Sequence, residues 1–206
     1  PGEAPCVFEV AGLRVGLLIC EDAWHAGPAR DAALAGAELL AVINASPFHS
    51  GKSTAREQTM RARVQETGLP LVYAHLVGGQ DEVVFEGRSF ALAADGAVVA
   101  RAPAFEEKLV FTHIQHGDGA INIEADVAPL PGVLPDLWDA LVLGVRDYIG
   151  KNGFPGVLLG LSGGMDSALV LALAVDALGK DRVRTVMMPS PYTADISWID
   201  ARDMAA

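Results

Sequence analysis

Between Gly156 and Leu178 an all-apolar run, GVLLGL, breaks at SGGMDS and passes straight into ALVLALAVDAL. That order leaves few folds open. A buried strand that turns through paired glycines into a long helix must be followed by a parallel neighbour, because the helix carries the chain back across the sheet. The neighbour is present as RVRTVMM, Arg182 to Met188. The segment predicts a strand over 156–161, a helix over 166–178 and a second buried strand, which together make a βαβ unit.

The turn itself carries chemistry. A junction between a parallel strand and its helix leaves backbone N–H groups unpaired, and the helix dipole adds partial positive charge there, so the site suits phosphate. Gly163 and Gly164 let the backbone approach closely and take positive φ. Ser162 and Ser167 add hydroxyl donors. Asp166 would be out of place beside bare phosphate and makes sense if Mg²⁺ bridges the two. The bland alternative is a capped helix, with Ser162 or Asp166 as the cap. Capping alone does not call for two glycines flanked by two serines and an aspartate. Other phosphate loops fit worse. GLSGGM lacks the glycine spacing of the dinucleotide fingerprint. Gly51-Lys52-Ser53 would need a glycine where Ser46 stands, so it is rejected as a nucleotide loop.

The rest of the chain also reads as α/β. Strands are expected over Leu13 to Ile19, Glu38 to Asn44 and Pro70 to Val77. Helices are expected over 26–37 and 53–68, the second with Ser53 or Thr54 as cap and Gly68 as stop. RSFALAADGAVVARA predicts a hairpin turning at Asp95-Gly96, and KLVFTHI, 108–114, a further strand. From Gln115 to Pro135 the pattern dissolves into Gly, Pro and Asp, the composition of a linker. DLWDALVLGVRDYIGKNG then predicts an amphipathic helix closed by Asn152-Gly153. Helix and sheet layers with both parallel and antiparallel pairing follow.

Composition sets outer bounds. At 206 residues, 51% of them hydrophobic, the chain can bury one large core or two modest ones. A formal charge of -11 argues against nucleic acid as the main partner. No apolar run reaches the length a bilayer needs, so no membrane role is expected. PGEAPCVFEV has neither the basic start nor the apolar stretch of a signal peptide. With two cysteines, Cys6 and Cys20, no disulfide framework is expected, and a reducing cytoplasm is.

Cys20 closes the apolar strand LRVGLLI, with Glu21 and Asp22 directly after it. A cysteine at the mouth of a buried strand is held rigidly and can face a pocket. A nucleophile there needs a nearby base or positive charge, and taken alone Cys20 is as well read as a buried, inert thiol. His25, His49, His75, His113 and His116 raise a Cys–His hydrolase or a metal site as alternatives. Only His113-x-x-His116 has paired spacing, and a cysteine peptidase would leave SGGMDS unexplained. A scaffold without activity stays open as well, and it predicts an unreactive Cys20.

Three resemblances bear on these readings. SGGMDS resembles the pyrophosphate loop of the ATP-pyrophosphatase superfamily, whose members cut ATP between its α and β phosphates and pass AMP to a substrate oxygen. LLICEDAW resembles the nucleophile motif of the nitrilase-like amidohydrolases, which use a cysteine, a glutamate and a lysine. VINASPFHSGK and VGGQDEVVFEGRSF, with DALVLGVRDYIGKNGF and VMMPSPYT, resemble the family of glutamine-dependent NAD synthetases along nearly the whole chain.

The implied fold is part of a nitrilase-like α-β-β-α sandwich over 1–114, a linker over 115–135, and over 136–206 the first βαβ unit of a Rossmann-like ATP-pyrophosphatase (adenine nucleotide alpha hydrolase-like) domain. The implied roles are Cys20 as glutaminase nucleophile and Ser46 and Lys52 as holders of glutamine, with Lys52 suited to its α-carboxylate or else simply solvated. Gly160, Leu161, Ser162, Gly163, Gly164, Met165, Asp166 and Ser167 are implied as the ATP loop, with Asp166 as a magnesium ligand. The implied substrates are glutamine, deamido-NAD and ATP with Mg²⁺, and the implied full-length assembly is a homo-oligomer. Arg88 stands where the resemblance expects a small residue, and SWIDARDMAA departs from the acidic text expected after SPYT. The nitrilase glutamate and lysine precede the cysteine in family order, so the chain as given is expected to be inactive alone.

Overall fold

The computed structural model describes residues 2, 4–117 and 120–206. The chain forms two compact units. One runs up to Gly78 and includes Val84–Asp136, and the other consists of Gly79–Val83 and Leu137–Ala206.

The first unit is built on a six-stranded sheet: β1 (Cys6–Val10), β2 (Leu13–Ile19), β3 (Leu39–Asn44), β4 (Leu71–His75), β7 (Phe90–Leu92) and β8 (Val98–Arg101), neighbours in that order. The centre, β2 to β3 to β4, is parallel. Its crossovers are α1 (Ala26–Leu34) and α2 (Lys52–Thr67). The flanks are antiparallel. β1 turns into β2 through Ala11 and Gly12, both at positive φ, as a two-residue hairpin requires. β7 turns into β8 at Asp95-Gly96, where the Asp95 carboxylate accepts the Ala97 N–H at 2.8 Å. Between β4 and β7, β5 (Val77–Gln80) and β6 (Val83–Glu86) form a separate two-stranded sheet.

Alternation along the parallel strands gives the sheet two apolar faces. Leu18, Leu40, Val42, Leu71, Tyr73 and Phe90 pack with Ala29 and Ala32 of α1 and with Met60 and Val64 of α2. On the other face Val15, Leu39, Ala91 and Ala100 pack with Ile123.

Three sequence expectations need correction here. Residues 108–112 form no strand: Leu109 and Phe111 are 83% and 79% exposed, and the strand begins only at His113. The apolar run there finds no strand to pair with among the described residues. The stretch expected to be a linker is in part regular. β9 (His113–Gly117) pairs antiparallel with β10 (Ala120–Glu124), whose Ile121 and Ile123 join the second face of the sheet. A short strand rich in Gly and Asp neighbours is held by that packing, which composition does not reveal. Finally, neither Ser53 nor Thr54 caps α2. Its cap is Gly51 at φ 77, and Ser53 turns its hydroxyl elsewhere.

In the second unit β11 (Val157–Gly160) and β12 (Val183–Val186) are parallel, with Gly160 opposite Val186, and α4 (Met165–Leu178) joins them. This is the βαβ unit expected from the glycine turn. α3 (Val133–Lys151) precedes it, starting before the expected Asp136 and belonging to this unit from Leu137 on. A last helix, α5 (Asp195–Met204), follows β12. Among the described residues no helix is long and apolar enough to cross a membrane.

Candidate active site

β2, β3 and β4 all end on the same edge of the sheet, the edge where open α/β sheets place ligands. Cys20 follows β2, Asn44 ends β3 with Ser46 just beyond, and His75 ends β4. A cavity of about 430 Å³ opens there, lined by Ile19, Cys20, Ile43, Asn44, Ala74 and His75.

Cys20 is the first residue of a 3-10 turn, Cys20–Trp24, and holds φ at +48. A left-handed conformation at a non-glycine residue costs about 1 kcal/mol or more and persists only where surrounding bonds impose it. Three contacts do so. The Ile19 N–H donates to Asp22 Oδ2 at 2.9 Å. Arg63 of α2 donates to the Trp24 carbonyl at 3.0 Å. The Lys52 ammonium lies 5.5 Å from the centre of the Trp24 ring, within cation–π range. Lys52 is therefore not freely solvated, and it stands at the turn that carries Cys20.

Beneath this edge, on the helix side of the sheet, lies a buried polar network. Arg56 is 2% exposed and pairs at 2.5 Å with Glu86, which is fully buried. Arg56 Nη2 donates to Ser46 Oγ at 3.0 Å. Asn44 Nδ2 lies 3.4 Å from the same hydroxyl, as does His75 Nε2. Asn44 also donates to the Tyr73 hydroxyl. Ser53 Oγ donates to Glu86 at 3.1 Å and accepts from Arg88. Arg88, itself buried and at φ +58, grips both oxygens of Asp136, at 2.6 and 3.0 Å. The arginine that departs from the resemblance is thus a bidentate anchor inside this unit.

Burial, and then the positive charge of Arg56, lower the His75 pKa to about 4, so the ring is neutral at ordinary pH. Burial raises the Tyr73 phenol above its usual value. Among the described residues no hydrogen bond joins His75 to Cys20, so the two do not form a nucleophile–base pair. Nor do three His, Cys, Asp or Glu side chains gather to hold a metal among those residues. The His116 side chain lies outside what is described.

Sequence reasoning picked out Cys20, Ser46 and Lys52, and it passed over Asn44, Arg56 and Glu86. One signal was available. Arg56, Met60, Arg63 and Val64 fall at i, i+4, i+7 and i+8 and are all buried, so two arginines sit on the apolar stripe of α2.

The glycine turn of the second unit has a different construction. Gly164, not Ser162 or Asp166, is the N-cap of α4, and no side chain caps it. The capped-helix alternative therefore fails, and the first-turn N–H groups are left without intrahelical partners. The two serines bond one another at 3.0 Å, and Ser167 Oγ donates to the Gly164 carbonyl at 2.9 Å. Asp166 is exposed and has no bonding partner among the described residues. Gly163 is at φ +80, and a Cβ on it would lie 2.3 Å from the Ser197 carbonyl oxygen of α5. Only glycine fits there. Beside the loop, Leu161, Thr185, Met187, Trp198 and Arg202 line a cavity of about 210 Å³.

Comparison with known proteins places these features. Residues 1–120 match the family model for carbon-nitrogen hydrolases, and residues 137–206 match that for NAD synthase. The chain is 49% identical over 194 residues to a glutamine-dependent NAD(+) synthetase of Rhodobacter capsulatus, covering 94% of this chain and 35% of that one. It is 42% identical to the one from Acinetobacter baylyi, covering 100% and 38%. Among solved structures it resembles a glutamine-dependent NAD+ synthetase from Acinetobacter baumannii, in complex with adenosine diphosphate, at a TM-score of 0.92 and 40% identity, covering 98% of this chain and 38% of that one. The chain thus spans little more than a third of the length of these relatives.

Proposed function

Because this chain belongs to the carbon-nitrogen hydrolase family, we propose that it is the junction of a glutamine-dependent NAD⁺ synthetase. In this reading the glutaminase part extends to residue 114, and 115–135, whose β10 packs on the first unit's sheet, leads into the synthetase part from 136. The observation that carries the proposal is the pairing, in one chain, of a strained cysteine at a strand mouth with an uncapped glycine turn that opens a helix.

Cys20 attacks the carboxamide carbon of glutamine, and ammonia leaves as a thioester forms. Water then cleaves the thioester to glutamate and frees the thiol. Ser46 and Lys52 hold the substrate, with Lys52 suited to the α-carboxylate. The backbone from Gly160 to Ser167 takes the pyrophosphate of ATP, whose α phosphate is attacked by the carboxylate of deamido-NAD to give an adenylate. Ammonia displaces AMP and leaves the amide of NAD⁺. The exposed, unpartnered Asp166 carboxylate fits Mg²⁺, which is commonly held by one or two carboxylates together with substrate phosphates. The ion would neutralise charge on the phosphates. Dependence on ATP and on a reduced thiol favours a cytoplasmic location.

The test is NAD⁺ formation by the whole protein from deamido-NAD, ATP and Mg²⁺, with glutamine or ammonium as donor. Both donors should serve. Failure with ammonium would overturn the synthetase assignment, and failure with glutamine alone would overturn the glutaminase assignment.

A further inference from the structure

We propose that Arg56 is a positioning residue of the glutamine site: held by Glu86, it makes Ser46 an obligate hydrogen-bond donor, so that Ser46 selects an oxygen acceptor on the substrate. This rests on reading the first unit as a glutaminase.

A serine hydroxyl has one hydrogen to give and two lone pairs to fill. Arg56 Nη2, 3.0 Å from Ser46 Oγ, can only donate. The Asn44 amide nitrogen, 3.4 Å away, also donates. The third neighbour is His75 Nε2, at 3.4 Å. His75 Nδ1 is buried with no partner. A buried N–H without a partner is a rarer and costlier orphan than a bare acceptor, so the proton of the neutral ring belongs on Nε2. Arg56, the nearest, takes one lone pair of the serine oxygen, and the two neighbours at 3.4 Å compete for the other. The serine's own hydrogen has no acceptor within the network and is left for a ligand oxygen. A ligand N–H would find the lone pairs already occupied.

Arg56 can do this because it is fixed from behind. Its Nη1 is tied to Glu86 at 2.5 Å, and Glu86 is tied in turn to Ser53 at 3.1 Å. The guanidinium is planar, so holding one nitrogen on Glu86 aims the other at Ser46. Lysine keeps the charge for Glu86 and loses that second, fixed donor.

The experiment is a double-mutant cycle in the whole protein, reading kcat and KM for glutamine-dependent NAD⁺ formation, with ammonium-dependent formation measured in parallel. The variants are Arg56→Lys, Ser46→Ala and both together. Arg56→Lys should raise the KM for glutamine about tenfold while leaving kcat within about twofold, the pattern of lost ground-state binding. In the Ser46→Ala background the same change should have almost no further effect, because Arg56 acts through that hydroxyl. A purely structural role for Arg56 would lower the melting temperature and give additive losses, and additivity would overturn the proposal. Should Arg56→Lys fail to fold, Arg56→Met with Glu86→Leu removes the ion pair as a unit. That pair should show the same dependence on Ser46, and additivity there would equally overturn the proposal. A wild-type protein that uses ammonium but not glutamine would instead remove the glutaminase reading itself.

Discussion

Around Ser46, bonds run to Arg56 across 10 positions of sequence, and from Arg56 to Glu86 across 30, all in buried or half-buried surroundings. Around Gly163, the bonding side chains are Ser162 and Ser167, five positions apart and exposed. The first region is assembled by the fold from residues distant in sequence, and among the described residues it keeps buried polar atoms without partners, Asn44 Oδ1 and His75 Nδ1 among them. The second is assembled by the chain's own turn: its serine hydroxyls bond one another and the loop backbone, while the Asp166 carboxylate has no partner among the described residues. Damage to the first should therefore appear as lost stability or altered glutamine binding. Damage to the second should appear as lost chemistry with the fold intact.

The sharpest way to break that contrast is at Asp166. In the whole enzyme Asp166→Asn should cut NAD⁺ formation about a thousandfold or more with either nitrogen donor, since a metal–phosphate contact stabilises the transition state by several kcal/mol. Its melting temperature should not move, because the side chain is exposed and has no partner among the described residues. A variant with near-normal synthesis would mean that the free carboxylate has no ligand to wait for.

Arg56→Ala tests the other side. It leaves the fully buried Glu86 without its cation, a change that costs about 3–5 kcal/mol in comparable buried pairs. Urea denaturation should show that loss, with ammonium-dependent synthesis persisting at temperatures where the variant is folded. A loss below about 1 kcal/mol, typical of an exposed pair, would contradict the buried network.

A smaller effect is expected at His75. Its folded pKa, about 4, lies below the ordinary 6.5 because of burial and then Arg56. The unfolded chain therefore takes up this proton first. The contribution to stability is intact above pH 6.5, falls as the pH drops towards 4, and levels off below, a loss of about 3 kcal/mol for 2.5 units. An NMR titration of the ring should give a midpoint near 4, and His75→Gln should flatten this part of the stability profile. A midpoint near 6.5 would place the ring in solvent.

The same contrast explains what could be read from the sequence. The glycine turn, its strands and its helix are local: spacing within about 30 residues determines them, and they stand where expected. The parallel strands β2, β3 and β4, the first ending at Cys20, were legible for the same reason, as apolar runs of strand length. The network was not. Arg56 lies in KSTAREQTMRARVQET, which reads as a solvated helix, and Glu86 reads as an ordinary hairpin charge. Nothing in either stretch says that the two meet. Strands fail in the same way when their existence depends on a distant partner. LVF at 109–111 is an apolar run that forms no strand among the described residues, whereas AINIE at 120–124 is a strand because β9 and the sheet receive it. The Ser197 backbone of α5 lies against Gly163, a contact that only the fold brings about.

The most direct test of the account is Cys20→Ala in the whole enzyme, assayed for NAD⁺ formation with each donor. If the two regions are separate sites joined only by ammonia, glutamine-dependent synthesis should disappear, because no thiolate remains to form the thioester. Synthesis from ammonium should continue at the wild-type rate. Retained glutamine activity would remove Cys20 from the chemistry, and loss of the ammonium activity in a folded variant would contradict the separation of the two sites.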